Sequence, residues 1–234
     1  PSKGLLYPKE NLLSSGKIEI RYMTAAHEDI LTNQSYIQKG TVLDKLMQAL
    51  IVSPINYDDI IVGDKNAIMI ACRILGYGKN YSFTYNNQEE TIDLSILEPK
   101  ELDLSLITPG VNEFTFNLPN TNNVVTFKIL SHADEKKIDQ EIKGLTKVNP
   151  NGSYDITTRL KHTITSVNGS KEQDDIRTFV DNMMVKDARF LREYIAKITP
   201  DLDLNFSYID SKGGVVEGIT LPMGTSFFWP DSGV

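Results

Sequence analysis

The residues with chemistry to offer are few and scattered. Three histidines (His27, His132 and His162) and one cysteine (Cys72) stand among 31 Asp or Glu and 24 Lys or Arg residues. His132 is followed by Asp134 and Glu135, which together have the composition of a metal site. Successive positions on one helical turn point in different directions, so these side chains are not expected to converge on one ion. His27 and His132 both fall at the start of a helical pattern, where a lone histidine reads as a surface or capping residue. Cys72 lies beside Ala71 in an apolar helical pattern and is expected in the core. One thiol also excludes an intrachain disulfide and any site that needs several thiolates. Gly76-Tyr77-Gly78-Lys79 resembles a phosphate-binding turn in composition alone. It follows a helical pattern and opens none, so a glycine C-cap with Lys79 near the negative helix end is the expectation. Asp201 and Asp203 read as a solvated turn feeding a strand. No spacing here specifies a Ser–His–Asp or Cys–His constellation. No catalytic residue, cofactor or metal is expected.

Asp64 and Asp187 differ from the rest because they recur in a repeated context. Ile18–Glu28 aligns with Val125–Glu135, with Ile20 on Phe127, Arg21 on Lys128, Thr24 on Ser131 and Glu28 on Glu135. Each copy reads as a strand ending at a hydroxyl residue that caps a helix, with acidic residues at the positive end of the helix dipole. Further on, Val62-Gly63-Asp64 aligns with Val185-Lys186-Asp187, and Phe83 and Tyr85 align with Phe206 and Tyr208. Between these landmarks run two helical stripes: Ala67, Ile68, Ala71, Ile74, Leu75, and Phe190, Leu191, Tyr194, Ile195, Ile198. Gly76 and Gly78 are expected to stop the first helix and Pro200 the second. A hairpin follows in each copy, turning at Asn86-Asn87-Gln88 and at residues 210–214. The recurring aspartates are read as scaffold, either helix N-caps or side chains tied to backbone N–H groups.

These elements predict an α+β fold of two diverged copies of a strand–helices–β-hairpin unit. Residues 1–16 form an N-terminal arm, 17–110 the first unit and 111–234 the second, with an aromatic C-terminal tail. Thr108-Pro109-Gly110 marks the boundary, before a strand over Asn112–Leu118. The middle of the units differs. Val42, Leu43, Leu46, Met47, Leu50 and Ile51 make a clear helical stripe, whereas Thr157–Thr165 is weakly periodic and is followed by a helix carrying Ile176, Phe179, Val180, Met183 and Met184.

Composition bounds the partners. The net charge is −7 with scattered basic residues, so no cationic stripe exists to neutralise a phosphate backbone and direct nucleic-acid binding is not expected. No stretch approaches the roughly 20 apolar residues that span a bilayer, and the N-terminal sequence has no signal-peptide pattern. Protein contacts remain. Leu5, Leu6 and Tyr7 have little local sequence to pack against and are expected to meet a partner. Phe227, Phe228 and Trp229 read equally as an interface anchor or as aromatics folded over the core.

Residues 1–8 (Pro-Ser-Lys-Gly-Leu-Leu-Tyr-Pro), Met23–Thr32, Val62–Ala71 with Arg73–Gly78, Asn112–Pro119 and Phe227–Pro230 resemble the baseplate hub proteins of T-even-like tailed bacteriophages. The resemblance touches nearly the whole chain, most specifically residues 1–118. It implies a late, non-enzymatic structural or assembly protein of the central hub of a contractile tail's baseplate, located in the virion. The implied partners are other baseplate hub or tail proteins, including a tape-measure protein; oligomeric state is not implied. The alternative within the same setting is a tail assembly chaperone that is absent from the mature virion. Many relatives look as if they carry Cys-x-x-Cys pairs in the hairpin matching Tyr81–Leu94, giving a zinc-ribbon appearance. Tyr85-Asn86-Asn87-Gln88 stands there in this chain, so zinc-ribbon-like hairpins without metal are expected.

Overall fold

Polar caps and apolar spacing build the first half. In the computed structural model, which describes residues 1–85, 88–209, 214–221, 223 and 225–228, Thr24 opens helix α1 (Ala25–Leu31). The Thr24 N–H donates to His27 Nδ1 at 3.1 Å and the His27 N–H donates to the Thr24 carbonyl at 2.8 Å, closing the first turn. Asn33 then caps α2 (Gln34–Gln38) by accepting from the Tyr36 N–H. Val42, Leu46, Met47 and Leu50 share one face of α3 (Val42–Leu50) and are each at most 2% exposed. Helix α4 (Val62–Tyr77) buries Ile68, Met69, Ile70, Cys72 and Arg73. It runs through Gly76, expected to stop it, and ends at Gly78, whose φ of 83° suits a residue without a Cβ. Strands β1 (Asn80–Tyr85) and β2 (Gln88–Asp93) follow as an antiparallel hairpin that turns Tyr81 and Phe83 inward. Lys79 pairs with Asp93 at 2.7 Å across the hairpin base.

The second half carries a three-stranded antiparallel sheet in the order β3 (Phe114–Asn117), β4 (Val124–Phe127), β5 (Ile164–Val167). Between β4 and β5 run α5 (His132–Val148) and α6 (Asp155–Thr163). Ser131 and Asp134 close a reciprocal capping box at the start of α5. Helix α7 (Gln173–Asp181) buries Ile176 and Val180 one turn apart. Helix α8 (Val185–Ile198) ends just before Pro200, and β6 (Asn205–Ile209) and β7 (Val215–Thr220) form the last hairpin.

Several expectations need correction. The strand expected from Ile18 up to the Thr24 cap makes only one bridge, Ile20 with Ile51, because a single short segment pairs with it. Helix α7 stops at Asp181, which leaves Met183 and Met184 beyond it. Leu75 and Phe190, both read as apolar-stripe residues, are exposed on their helices, and Met184 is exposed as the extended N-cap of α8. Strand β5 was not foreseen. The expected turns at Asn86-Asn87 and residues 210–213 lie outside the described residues.

The halves interlock. Ile61 bridges Ser131, and Pro99 bridges Leu202 with Lys100 N–H donating to the Asp201 carbonyl at 2.9 Å. One hydrophobic core runs from Leu6 to Phe228 through both. Among the described residues no helix is long and apolar enough to cross a membrane.

Candidate functional site

The arm is tied down through its polar atoms. Tyr7 donates its hydroxyl to Asp64 Oδ2 at 2.8 Å and accepts from the Ile61 N–H at 3.0 Å. The Ser2 N–H donates to Asp64 Oδ1 at 2.9 Å, and the Ser2 hydroxyl donates to Oδ2. Burial, reinforced by the Asp64 charge, pushes the Tyr7 phenol far above its usual range, so it remains a donor and not a base. Leu6 and Tyr7 are buried, and Leu5 is partly buried against the same core. This corrects the expectation of an arm that offers these side chains to a partner: Asp64 and Ile61 give it neighbours that its local sequence lacks.

Phe227 and Phe228 follow the core reading of the tail. Both are fully buried, and the Phe227 ring lies 4.9 Å from Tyr81, edge to face. The Phe227 carbonyl accepts from Arg73 Nε at 2.8 Å. Arg73 also reaches the Gly78 carbonyl at 3.0 Å, and its guanidinium lies 5.1 Å from the Tyr77 ring centroid. Burial lowers its pKa, opposed by Tyr77 and Tyr81. Trp229 lies outside the described residues.

The recurring aspartates take the second of their two expected roles. Both are the third residue of their helix, behind N-caps Ile61 and Met184, and both collect N–H and hydroxyl donors from a distant turn. Asp187 accepts from Asn120 N and Nδ2 at 3.0 and 2.7 Å and from Thr121 N and Oγ1 at 3.2 and 2.8 Å. Burial raises this carboxyl, but the four hydrogen bonds outweigh it and hold the pKa below the usual range.

The closest approach to a catalytic grouping surrounds His132, which spacing did not connect to Asp44, Tyr57 or Lys65. Its Nδ1 lies 3.1 Å from Lys65 Nζ and its Nε2 3.5 Å from Asp44 Oδ2. Lys65 and Tyr57 both donate to Asp44 Oδ1, at 2.7 and 3.1 Å. Burial first, then Lys65, lowers the His132 pKa, while Asp44 and Asp58 oppose. A neutral, enclosed imidazole wedged between α3, α4 and α5 clamps the two halves and offers no reacting atom to a substrate. Asp134 instead holds Lys128, and Glu135 holds Arg159, so the three residues of the metal-like cluster diverge. The other two histidines are spent locally: His27 caps α1, and His162 joins Arg177 on Glu141. Burial pushes the Cys72 thiol up to about 12, far from a nucleophile's range. Among the described residues no group of three or more His, Cys, Asp or Glu is placed to hold a metal ion.

No protein-family model, curated protein or solved structure matches the chain.

Surface apolar residues are the remaining candidates. Leu145 and Val148 lie one turn apart at the end of α5, and Ile156 opens α6 across the connecting turn; Val148 is 86% exposed. Sequence reading passed over them because they stand outside the stripes that mark buried faces. A cavity of about 310 Å³ also opens beneath the arm, lined by Lys3, Lys17, Ile18, Ile20, Ala67 and Ala71 among others.

Proposed function

We propose that the chain is a non-enzymatic structural or assembly protein of the central hub of a phage contractile-tail baseplate, acting in the virion through other hub, tail or tape-measure proteins. The observation that carries this reading is the meeting of the resembling segments at one anchor. Ser2 and Tyr7, from the first segment, bind Asp64, from the Val62–Ala71 segment. The residues that bear the resemblance therefore act together as scaffold. Phe227 from the terminal segment reaches Arg73 of the same helix.

The fold is read as two diverged copies of one unit, residues 17–110 and 111–234. Three correspondences support this. Arg21 N–H donates to the Leu50 carbonyl at 2.9 Å as Lys128 N–H donates to the Thr163 carbonyl at 3.0 Å. The reciprocal caps at Thr24 and Ser131 match, as do the donor-collecting Asp64 and Asp187. The hairpins β1–β2 and β6–β7 are read as zinc-ribbon-like without metal, held by packing and hydrogen bonds. Exposed apolar residues such as Val148 suit a docking subunit.

Quantitative mass spectrometry of purified virions tests the assignment. A hub subunit appears at fixed copy number; a departing chaperone is absent from virions but present in tail-assembly intermediates. Absence from both refutes the proposal.

A further inference from the structure

The extended segment before α1 is paired on one side only. Glu19 and Arg21 direct their backbone groups to residues 50–53, with Val52 N–H donating to the Glu19 carbonyl at 2.8 Å and Arg21 N–H to the Leu50 carbonyl at 2.9 Å. Backbone groups alternate sides along an extended chain, so those of Ile18 and Ile20 face the other way. Neither has a backbone partner among the described residues. The comparable edge of β4 is covered: Phe127 and Val125 pair with Phe114 and Phe116 of β3, and Phe116 stacks on Tyr194 of α8 at 4.7 Å.

On α4 the arm takes only Asp64, through Ser2 and Tyr7, and among the described residues no strand lies beside Ile18 and Ile20. Counted from Asp64 and Asp187, Ala67 and Ala71 stand where α8 carries Phe190 and Tyr194. These small side chains leave the cavity of about 310 Å³, which Ile18 and Ile20 line from the strand side and the arm lines with Lys3, Gly4 and Leu13. Along the exposed outer face the charges run Lys17, Glu19, Arg21, and none of the three forms an ion pair among the described residues. Charged outer positions alone are a common guard on a free edge. An apolar inner face over an open cavity is not.

We propose that this edge docks an extended strand from a partner protein. Its main chain bonds Ile18 and Ile20, two apolar side chains enter the cavity over Ala67 and Ala71, and its outer face reads acid–base–acid against Lys17, Glu19 and Arg21. The chain's own Glu113-Phe114-Thr115-Phe116 has the same apolar alternation with a leading acid. The occupant's register rests on the equivalence of the two units proposed above; the open edge does not.

The test uses the full chain and a fluorescein-labelled peptide containing Glu-Phe-Lys-Phe-Asp. Saturable binding is expected, with slowed hydrogen exchange at the Ile18 and Ile20 amides. Lys17→Glu with Arg21→Glu should weaken this peptide at least about fivefold and favour one reading Lys-Phe-Lys-Phe-Lys, since Glu19 is unchanged. Ala71→Tyr, checked for an unchanged melting temperature, should abolish binding by filling the cavity. If Ala71→Tyr lowers that temperature, the two surface charge changes decide alone. No saturation at millimolar peptide, indifference to the charge swap, or protection at Val125 and Phe127 in place of Ile18 and Ile20 overturns the proposal. So does a peptide-free dimer that occupies the edge. Failure of the two halves to superpose, with binding intact, removes only the unit equivalence.

Discussion

Replacing Phe227 with alanine removes a fully buried ring from between Tyr81 and Phe228. Changes of this kind cost about 3–5 kcal/mol through lost transfer energy and the cavity left behind. For a chain of this length each kcal/mol moves the melting temperature by about 2–4 °C, so Phe227→Ala should lower it by roughly 6–20 °C. Deleting residues 225–234 also removes Phe228 and takes the Phe227 carbonyl from Arg73 Nε. Stranding that buried donor adds about 1–3 kcal/mol, and the total rivals the roughly 5–15 kcal/mol that stabilises a whole domain. The truncated chain should lose cooperative unfolding near 37 °C. Circular dichroism melts and urea titrations of the three proteins measure this directly. A truncated chain that melts within about 2 °C of the intact one refutes the core placement, since that shift reflects less than about 1 kcal/mol.

Gly63→Ala should unfold or severely destabilise the chain, because its Cβ would lie 1.8 Å from the Pro200 carbonyl oxygen; a melting temperature equal to wild type contradicts that close approach. Asp187→Ala removes the acceptor of four donors and should cost roughly 1.5–3 kcal/mol in urea unfolding, with Asp187→Asn milder because it retains an acceptor. The depressed pKa of Asp187 makes its contribution complete above the unfolded value near 3.9 and lost as pH falls through the lower folded value. His132 is also depressed, so its unfolded form takes up a proton first: the urea midpoint should decline as pH drops below about 6.5, and His132→Gln should flatten that slope. An identical pH profile in the variant would show that the imidazole stays equally protonated in both states.

Sequence reading located what periodicity and caps control. The α3 stripe, the caps at Thr24 and Ser131, the hairpins and the scaffold role of Asp64 and Asp187 all follow from residue types at fixed spacing. Long-range meetings were illegible, because nothing local requires Tyr7 to reach Asp64 or Phe227 to reach Arg73. An arm with no apolar neighbours in sequence therefore looked free. Strand β5 was hidden because Ile164–Val167 takes its structure from pairing with β4, not from its own pattern. The His132 cluster was missed for the same reason: Asp44, Tyr57 and Lys65 come from three separate elements.

The hub role is tested most directly by electron microscopy of lysates from a phage carrying a nonsense mutation in the gene for this chain. Filled heads without complete contractile tails are expected, with tails and plaques restored when the intact chain is supplied from a plasmid. Normal tails and undiminished plaque titre without the chain would contradict a role in building the baseplate hub.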